Sequence, residues 1–150
     1  MTQIGPDAGA GAAAADALAR LRPICRALPE VEERLSHGEP AWFVRGKRLF
    51  VTFADGHHDD RVACWCAAAP GVQAALARQR PERYFRPPYV GHRGWVGIYL
   101  DVDVDWDEVE VLVHEAYVVV APARLAAASQ RSGDTSRASV VVNERHRERG

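Results

Sequence analysis

The sequence predicts a single α+β domain in which one antiparallel sheet carries helices packed on one face. Three observations favour this class. The segments follow in the order helix, several short strands, helix, strand, helix, without the strict strand–helix alternation that a parallel sheet requires. The short strands alternate apolar and polar residues. A chain of 150 residues is also long enough to bury one hydrophobic core.

The sequence of the first 28 residues predicts a disordered tail followed by a helix. Residues 1–12 are small and glycine-rich, so we expect them to be disordered. A helix should follow to about residue 28, and Pro23 inside it predicts a kink or a late start. Its buried stripe should comprise Leu18, Leu21, Cys25 and Leu28. We therefore place the folded domain at residues 13–128.

The middle of the chain predicts short strands joined by tight turns. Gly38-Glu39-Pro40 is a turn sequence, and Gly46 lies between two apolar runs as in a short hairpin. The predicted strands are residues 34–37, 42–44, 48–53 and 61–66. Pro70 is suited to the first position of a helix that ends near Gln79, because its missing N–H has no helical partner there.

Residues 84–101 predict a loop that leads into a central strand. Pro87-Pro88 excludes a helix, and Gly91 and Gly94 allow turns. The loop should hold His92 and Arg93 where they can reach solvent or a ligand. From Trp95 the pattern has period two, which is typical of a strand.

The C-terminal part predicts a capped helix and a tail. Asp105 followed three residues later by Glu108 has the spacing of a capping box, and the helix should end near Pro122 with a short extension through Leu125. Residues 129–150 are polar and arginine-rich and predict a disordered tail.

Composition limits the classes of partner and compartment. The chain has a net charge of −1, and residues 129–150 hold five arginines against three acidic residues, which is +2, so the remainder carries −3. A folded domain with this negative charge is poorly suited to binding nucleic acid by phosphate neutralisation alone. No apolar run reaches the length of a membrane span, the N-terminus lacks the features of a secretory signal, and three cysteines predict reduced thiols. We therefore expect a cytoplasmic protein with no membrane partner.

The candidates for metal binding and catalysis each favour a structural role. The segment His57-His58-Asp59-Asp60 contains metal-ligating residue types, but adjacent side chains point apart and a solvated turn is the better interpretation. Cys64 and Cys66 share one face of a strand, as buried apolar residues do. His114 could begin a zinc-protease motif, but Val118 occupies the position of its second histidine. We expect no catalytic residue, no metal and no cofactor, and an enzyme ranks last among the functions considered.

The strand pattern also predicts a second sheet face that helices leave uncovered. One set should turn toward the helices: Leu49, Val51, Phe53, Val62, Cys64, Cys66, Val96, Ile98 and Leu100. The opposite set contains Phe43, Arg45, Arg48, Phe50, Thr52, Arg61, Trp65, Trp95 and Tyr99. Aromatic rings could stack on bases or on a planar ligand, and arginines could contact phosphate. The alternative is that these rings pack on each other, on the Pro87-Pro88 loop or on a second subunit.

The sequence also resembles a known family. RPPYVGHRGWVGIYLD, followed by VDWDEVEVLVHEAYVVVAPARL, looks like the MmcQ/YjbR family, and ALPEVEERLSHGEPAWFVRGKRLFVTFADGHHDDRVACWCAA resembles its actinobacterial branch. The likeness covers about residues 18–125. It implies an α+β fold similar to the frataxin/CyaY-like arrangement and a DNA-binding-protein-like role, with no established catalytic residues to carry over. His92, Arg93 and Trp95 match the family's characteristic segment before its last strand.

These observations lead to two principal functional hypotheses. The first is a non-enzymatic protein that binds DNA or single-stranded nucleic acid on the aromatic and arginine-rich face, as a monomer or a weak dimer. The alternative is a domain that binds a planar small molecule on the same face. The candidate binding residues are Arg45, Arg48, Phe50, Trp65, His92, Arg93, Trp95 and Tyr99.

Overall fold

The computed structural model describes residues 6–56 and 60–132, and these residues form one six-stranded sheet and four α-helices. The helices are α1 (Pro6–Arg26), α2 (Val72–Gln79), α3 (Trp106–Val120) and α4 (Ala123–Ser132). The strands are β1 (Val31–Ser36), β2 (Glu39–Val44), β3 (Arg48–Asp55), β4 (Val62–Cys66), β5 (Tyr84–Phe85) and β6 (Val96–Tyr99). Within this described part, no helix combines the length and apolar character needed to cross a bilayer.

The sheet is antiparallel throughout, with the strand order β1-β2-β3-β4-β6-β5. Helices α1 and α3 pack on the face that carries Trp42, Val51 and Cys64, all of which are buried. The apolar residues of that face and of the two helices form the hydrophobic core. The predicted α+β class with one antiparallel sheet is therefore confirmed, and β6 is an internal strand as its sequence predicts.

Two tight turns connect the first three strands. His37 and Gly38 both have positive φ (54° and 82°), as do Arg45 and Gly46 (56° and 69°). Positive φ at two consecutive turn residues matches the twist of the flanking strands. The first connection has two residues, between the paired Ser36 and Glu39, and the second has three, between the paired Val44 and Arg48. The hairpin predicted around Gly46 is confirmed. The first turn, however, is one step earlier than predicted, so that Glu39 and Pro40 belong to β2 and β1 begins at Val31.

A β-bulge in β3 corrects one part of the predicted face assignment. Trp42 pairs with Val51, but Phe43 pairs with Leu49, so Phe50 is an extra residue opposite the β2 strand. The extra residue reverses the alternation before it. Phe50 therefore lies on the helix side, fully buried, and Leu49 shares the second face with Phe43, the opposite of the sequence-based prediction.

The bulge places Phe50 against α3. Its ring meets the ring of Tyr117 edge to face, with centroids 5.6 Å apart and planes at 83°. The hydroxyl of Tyr117 donates to the carbonyl oxygen of Pro29 over 2.8 Å. Tyr117 thus joins α3 both to the centre of the sheet and to the connection between α1 and β1.

Helix α1 starts within the segment that was predicted to be a tail. It begins at Pro6 and runs through Pro23 to Arg26. The alanine-rich composition of this segment favours a helix, since alanine has the highest intrinsic helix propensity. Leu21 and Cys25 are buried, as the predicted stripe requires. Residues 1–5 lie outside the described part of the chain.

The N-cap at Asp105 forms as predicted, but the capping box does not, because the Glu108 carboxylate accepts from Tyr84 and Arg80 instead. The Asp105 carboxylate accepts a hydrogen bond from the N–H of Glu108 (3.2 Å) at the start of α3. The C-terminal helices extend further than predicted. Helix α4 continues to Ser132, into the predicted tail. Ser129 is buried, and its hydroxyl lies 3.0 Å from Nε2 of His114. Residues 133–150, with the rest of the predicted tail, lie outside the described residues.

Candidate functional site

The loop of residues 86–94 joins β5 to β6, and its Tyr89 packs over Trp65 on the second sheet face. The ring of Tyr89 lies 6.5 Å from that of Trp65, centroid to centroid. At the base of the loop, the ring of Phe85 stacks on Tyr99 at 4.4 Å and 24°. Trp65 and Trp95 are only 8% and 3% exposed. Trp65 therefore packs on this loop and Tyr99 on another ring, as the alternative interpretation of the sequence expected, whereas Phe43 lies under the guanidinium of Arg34.

The 86–94 loop is held in place by buried groups and by α2. Pro87 and Gly91 are buried. Nε2 of Gln73 in α2 donates to the carbonyl oxygens of Gly91 (2.8 Å) and Trp95 (2.5 Å). Between these two acceptors the chain makes one 3₁₀ turn and leaves it at Gly94, whose φ is 85°. A single amide side chain therefore fixes both ends of this turn.

The outer surface of this loop is basic and aromatic. Tyr89 is 70% exposed, and Arg86, His92 and Arg93 are also exposed. The guanidinium carbon of Arg93 lies 5.4 Å from the ring centroid of Trp95, so the buried ring supports the arginine from below. The segment 86–94 contains no acidic residue. We refer to Arg86, Tyr89, His92 and Arg93 as the Tyr89 surface.

Glycine at position 91 allows Arg86 to cross the loop. A β-carbon at Gly91 would lie 2.6 Å from Cγ of Arg86, closer than atoms of two side chains approach each other. The stem of Arg86 therefore packs over this glycine, while the residue as a whole stays exposed. Both arginines of the Tyr89 surface are thus supported by the fold.

Four of the predicted binding residues come together in this region, and a fifth adjoins it. His92 and Arg93 lie on the outer surface, whereas Trp65 and Trp95 lie beneath it. Tyr99 is half-buried between the Phe85 ring and the guanidinium of Arg61, which is 3.8 Å from its centroid.

The remaining predicted binding residues lie elsewhere. Arg45 is in the turn between β2 and β3, where its Nε donates to the Glu30 carboxylate over 2.9 Å. Arg48 is exposed and pairs with Val44, which places it at the helix side of the sheet. Phe50 is part of the core and has no surface for a ligand.

Sequence reasoning missed two members of the Tyr89 surface, Arg86 and Tyr89. Both flank Pro87-Pro88, from which the sequence predicts only a loop. A signal was available, because two prolines in succession hold the flanking side chains on a stiff backbone. Tyr89 itself has a φ of 66°, which is uncommon for a residue with a side chain.

The ends of β4 and β6 are tied by an ion pair beside this region. Arg61 donates to both carboxylate oxygens of Asp101, over 2.8 and 2.7 Å. The N–H of Val62 donates to the same carboxylate. These interactions, the Arg61 hydrogen bond above all, lower the pKa of Asp101. The pairing fixes Arg61 above Tyr99.

A second polar cluster links β5 to α3. The hydroxyl of Tyr84 donates to Oε1 of Glu108, and Arg80 donates to Oε2 over 2.7 Å. Burial, followed by the hydrogen bond to Glu108, raises the pKa of Tyr84. Tyr84 is therefore protonated at neutral pH and joins strand to helix.

The cysteines have the environment of core residues. All three are free and buried, and the sulfur atoms of Cys64 and Cys66 are 4.0 Å apart. Burial is the main cause that raises the pKa of Cys25, while the contact with Cys66 and burial raise that of Cys64. Over residues 6–56 and 60–132, histidine, cysteine and acidic side chains form no group of three or more suited to a metal ion. His57, His58 and Asp59 lie outside those residues.

Comparison with known proteins identifies the family. No curated protein shows significant similarity to the chain. The crystal structure of Deinococcus radiodurans protein DR2400, which contains a DUF419 domain, superimposes with a TM-score of 0.58 at 18% identity, covering 75% of this chain and 83% of that one. At that identity the likeness is one of fold. The profile of the YjbR family matches residues 26–119, from the end of α1 to the end of α3. Because this match covers more than half of the sequence, the chain belongs to the YjbR family.

Proposed function

We propose that the chain is a non-enzymatic cytoplasmic protein that binds single-stranded nucleic acid on the Tyr89 surface. The observation that supports this most directly is Tyr89, a residue 70% exposed, among the exposed Arg86, His92 and Arg93. Single-strand binders combine an aromatic ring, on which a base stacks, with cations that contact the backbone phosphates. The three free cysteines fit a reducing compartment.

The anchoring of the loop supports the same proposal. Gln73 holds the carbonyl oxygens of Gly91 and Trp95, and Pro87 is buried. A ligand therefore meets side chains on a backbone that is already ordered, which reduces the entropy cost of binding. The rings of Trp65 and Trp95 support the loop from beneath and do not stack on a base.

The number of cations sets the expected affinity and its dependence on salt. Two arginines contribute contacts with about two phosphates, so the logarithm of affinity should fall with the logarithm of salt concentration with a slope of about −1.4. This is a shallow slope. It is consistent with the net charge of −3 on residues 1–128, which repels the phosphates that the two arginines do not contact.

Fluorescence anisotropy with a labelled oligothymidylate, measured over a salt series, tests the proposal. Tyr89→Ala should weaken binding about tenfold, because stacking contributes about 1–3 kcal/mol per base. Tyr89→Phe keeps the ring and should bind nearly as well as the wild type. Arg93→Gln should reduce the salt slope by about 0.7, while Arg124→Gln on α4 is the matched control with no effect. An oligothymidylate that does not bind at low salt would refute the proposal.

A planar small molecule on the same surface is the second candidate. The observation in its favour is that the Tyr89 surface offers one exposed aromatic ring and few cations, which is enough for one planar group. A neutral planar ligand would bind with an affinity that salt leaves unchanged, and Tyr89→Ala alone would weaken it. Salt dependence thus separates the two candidates.

A further inference from the structure

Strand β1 is an edge strand with an exposed apolar side chain. It lies at one end of the strand order and pairs with β2 alone among the described strands. Leu35, near its end, is 74% exposed, the largest exposure among the large apolar residues described. An unpaired edge of six residues presents free N–H and C=O groups to a further strand.

The hydrogen-bond pattern shows which backbone groups point outward. The N–H of Arg45 donates to the carbonyl oxygen of Glu30 (2.8 Å), one step beyond the register in which Val31 pairs with Val44. In an antiparallel ladder, hydrogen-bonded pairs alternate with pairs that are not. Even-numbered residues of β1 therefore bond to β2. The N–H and C=O groups of Val31, Glu33 and Leu35 are directed to the open edge.

The side chains of β1 favour one register with a second copy of the same strand. If Glu33 lies opposite Glu33 of the second copy, the outward groups of odd-numbered residues meet each other. In this register Glu32 lies opposite Arg34, twice by symmetry, and Val31 lies opposite Leu35. Moving the register by two residues in either direction places Glu32 opposite Glu32 or Arg34 opposite Arg34. Charge complementarity thus selects the first register.

The central pair of glutamates does not oppose this arrangement. Each Glu33 carboxylate accepts hydrogen bonds from Nε and a terminal nitrogen of Arg22, both at 2.9 Å, and another from Nε1 of Trp42 at 3.1 Å. The Arg22 hydrogen bond is the main cause that lowers the pKa of Glu33. The two-fold axis therefore passes between two neutralised ion pairs.

We infer that two copies of this chain associate through antiparallel pairing of their β1 strands, which makes one continuous sheet of twelve strands. The partner is a second identical chain, because the strand is complementary in charge and in apolar character to itself. The interface is isologous, as in most two-fold dimers. It is independent of the Tyr89 surface, so either proposal can fail without the other.

Sedimentation velocity over a range of protein concentrations tests this inference with charge variants of the full chain. The wild type should shift from monomer to a species of twice the mass. Glu32→Arg places arginine opposite arginine twice and should weaken the dimer about tenfold. The double variant Glu32→Arg/Arg34→Glu restores opposite charges and should restore the dimer. A wild type that stays monomeric at the highest concentration, or a double variant no better than the single one, would overturn the inference.

Amide hydrogen exchange of the wild type gives a test that needs no variant. The N–H groups of Val31, Glu33 and Leu35 should gain protection as protein concentration rises, since they are bonded only in the dimer. Those of Glu32 and Arg34 should be protected at every concentration, because they bond to β2. Equal behaviour of the two sets would contradict edge pairing.

Discussion

The ring of Phe85 occupies the space in which a β-carbon of Gly97, its cross-strand partner, would lie. Phe85 is in the two-residue strand β5, and Gly97 is near the middle of β6. The absence of a side chain at Gly97 lets this ring reach Tyr99 and stack on it. The contact covers the end of the second sheet face and sets the base of the 86–94 loop.

We expect Gly97→Ala to lower the free energy of unfolding by about 1–3 kcal/mol, because the new methyl group overlaps the Phe85 ring. Chemical denaturation measures this change. Gly11→Ala in α1 is the matched control: it has no neighbour within 4 Å and should be neutral or stabilise by up to about 1 kcal/mol. A Gly97→Ala variant as stable as the wild type would show that the ring moves aside freely.

Alanine substitutions of Trp95 and Tyr89 should have opposite effects: the first should lower stability, and the second should weaken binding while leaving stability nearly unchanged. Trp95 is 3% exposed, so Trp95→Ala should lower the free energy of unfolding by about 3–5 kcal/mol. Tyr89 is 70% exposed, so Tyr89→Ala should change it by less than about 0.5 kcal/mol. Thermal and denaturant unfolding of both variants checks this contrast. A strongly destabilised Tyr89→Ala would assign the ring to the fold and weaken the proposed function.

Because His114 is partly buried, we expect the protein to lose stability in mildly acidic solution. Burial is the main cause that lowers its pKa, and its Nε2 lies 3.0 Å from the Ser129 hydroxyl. The folded state therefore binds a proton less readily than the unfolded chain, whose histidine has a pKa of about 6.5. The contribution of His114 to the free energy of unfolding is therefore fully present above that pH, and it is lost as the pH falls through the lowered pKa.

Unfolding free energies between about pH 7 and pH 5 measure this effect. His114→Gln stays neutral and should show a flatter pH dependence across that window. His92→Gln, which replaces an exposed histidine of the 86–94 loop, is the matched control. If the wild type and His114→Gln share one slope, His114 does not report on the docking of α4.

The three cysteines should resist thiol reagents in the native protein. Cys25, Cys64 and Cys66 have no exposed surface, and burial contributes to raising the pKa of the first two. Thiolate is the reactive form, so both access and charge oppose reaction. A colorimetric thiol assay should detect three thiols in denaturant and a slow reaction without it. Rapid native reaction of any one would indicate local opening of the core.

Periodicity predicted most of the sheet because its strands are regular. Val62, Cys64 and Cys66 lie on the helix side, as their spacing predicts, and so do Val96 and Ile98. The cap at Asp105 could be predicted because it needs only local residues.

The features that were missed depend on tertiary contacts. The bulge at Phe50 is set by pairing with β2 and has no local signal, so the predicted positions of Leu49 and Phe50 were reversed. Strand β5 has two residues, too few for a period to show. The burial of Trp65 and Trp95 could not be predicted without knowing that the 86–94 loop folds back across the sheet.

The strand order has a consequence for the order of folding. Strands β1 to β4 follow each other as neighbours, whereas β6 joins the edge of β4 only after the chain from Cys66 to Val96 has returned. Closing a longer loop costs more entropy, so this pairing should form late. Val44→Ala in β2 should then slow folding, and Ile98→Val in β6 should mainly speed unfolding. Until β6 arrives, the edge of β4 is open to the wrong strand, so aggregation during refolding should begin there.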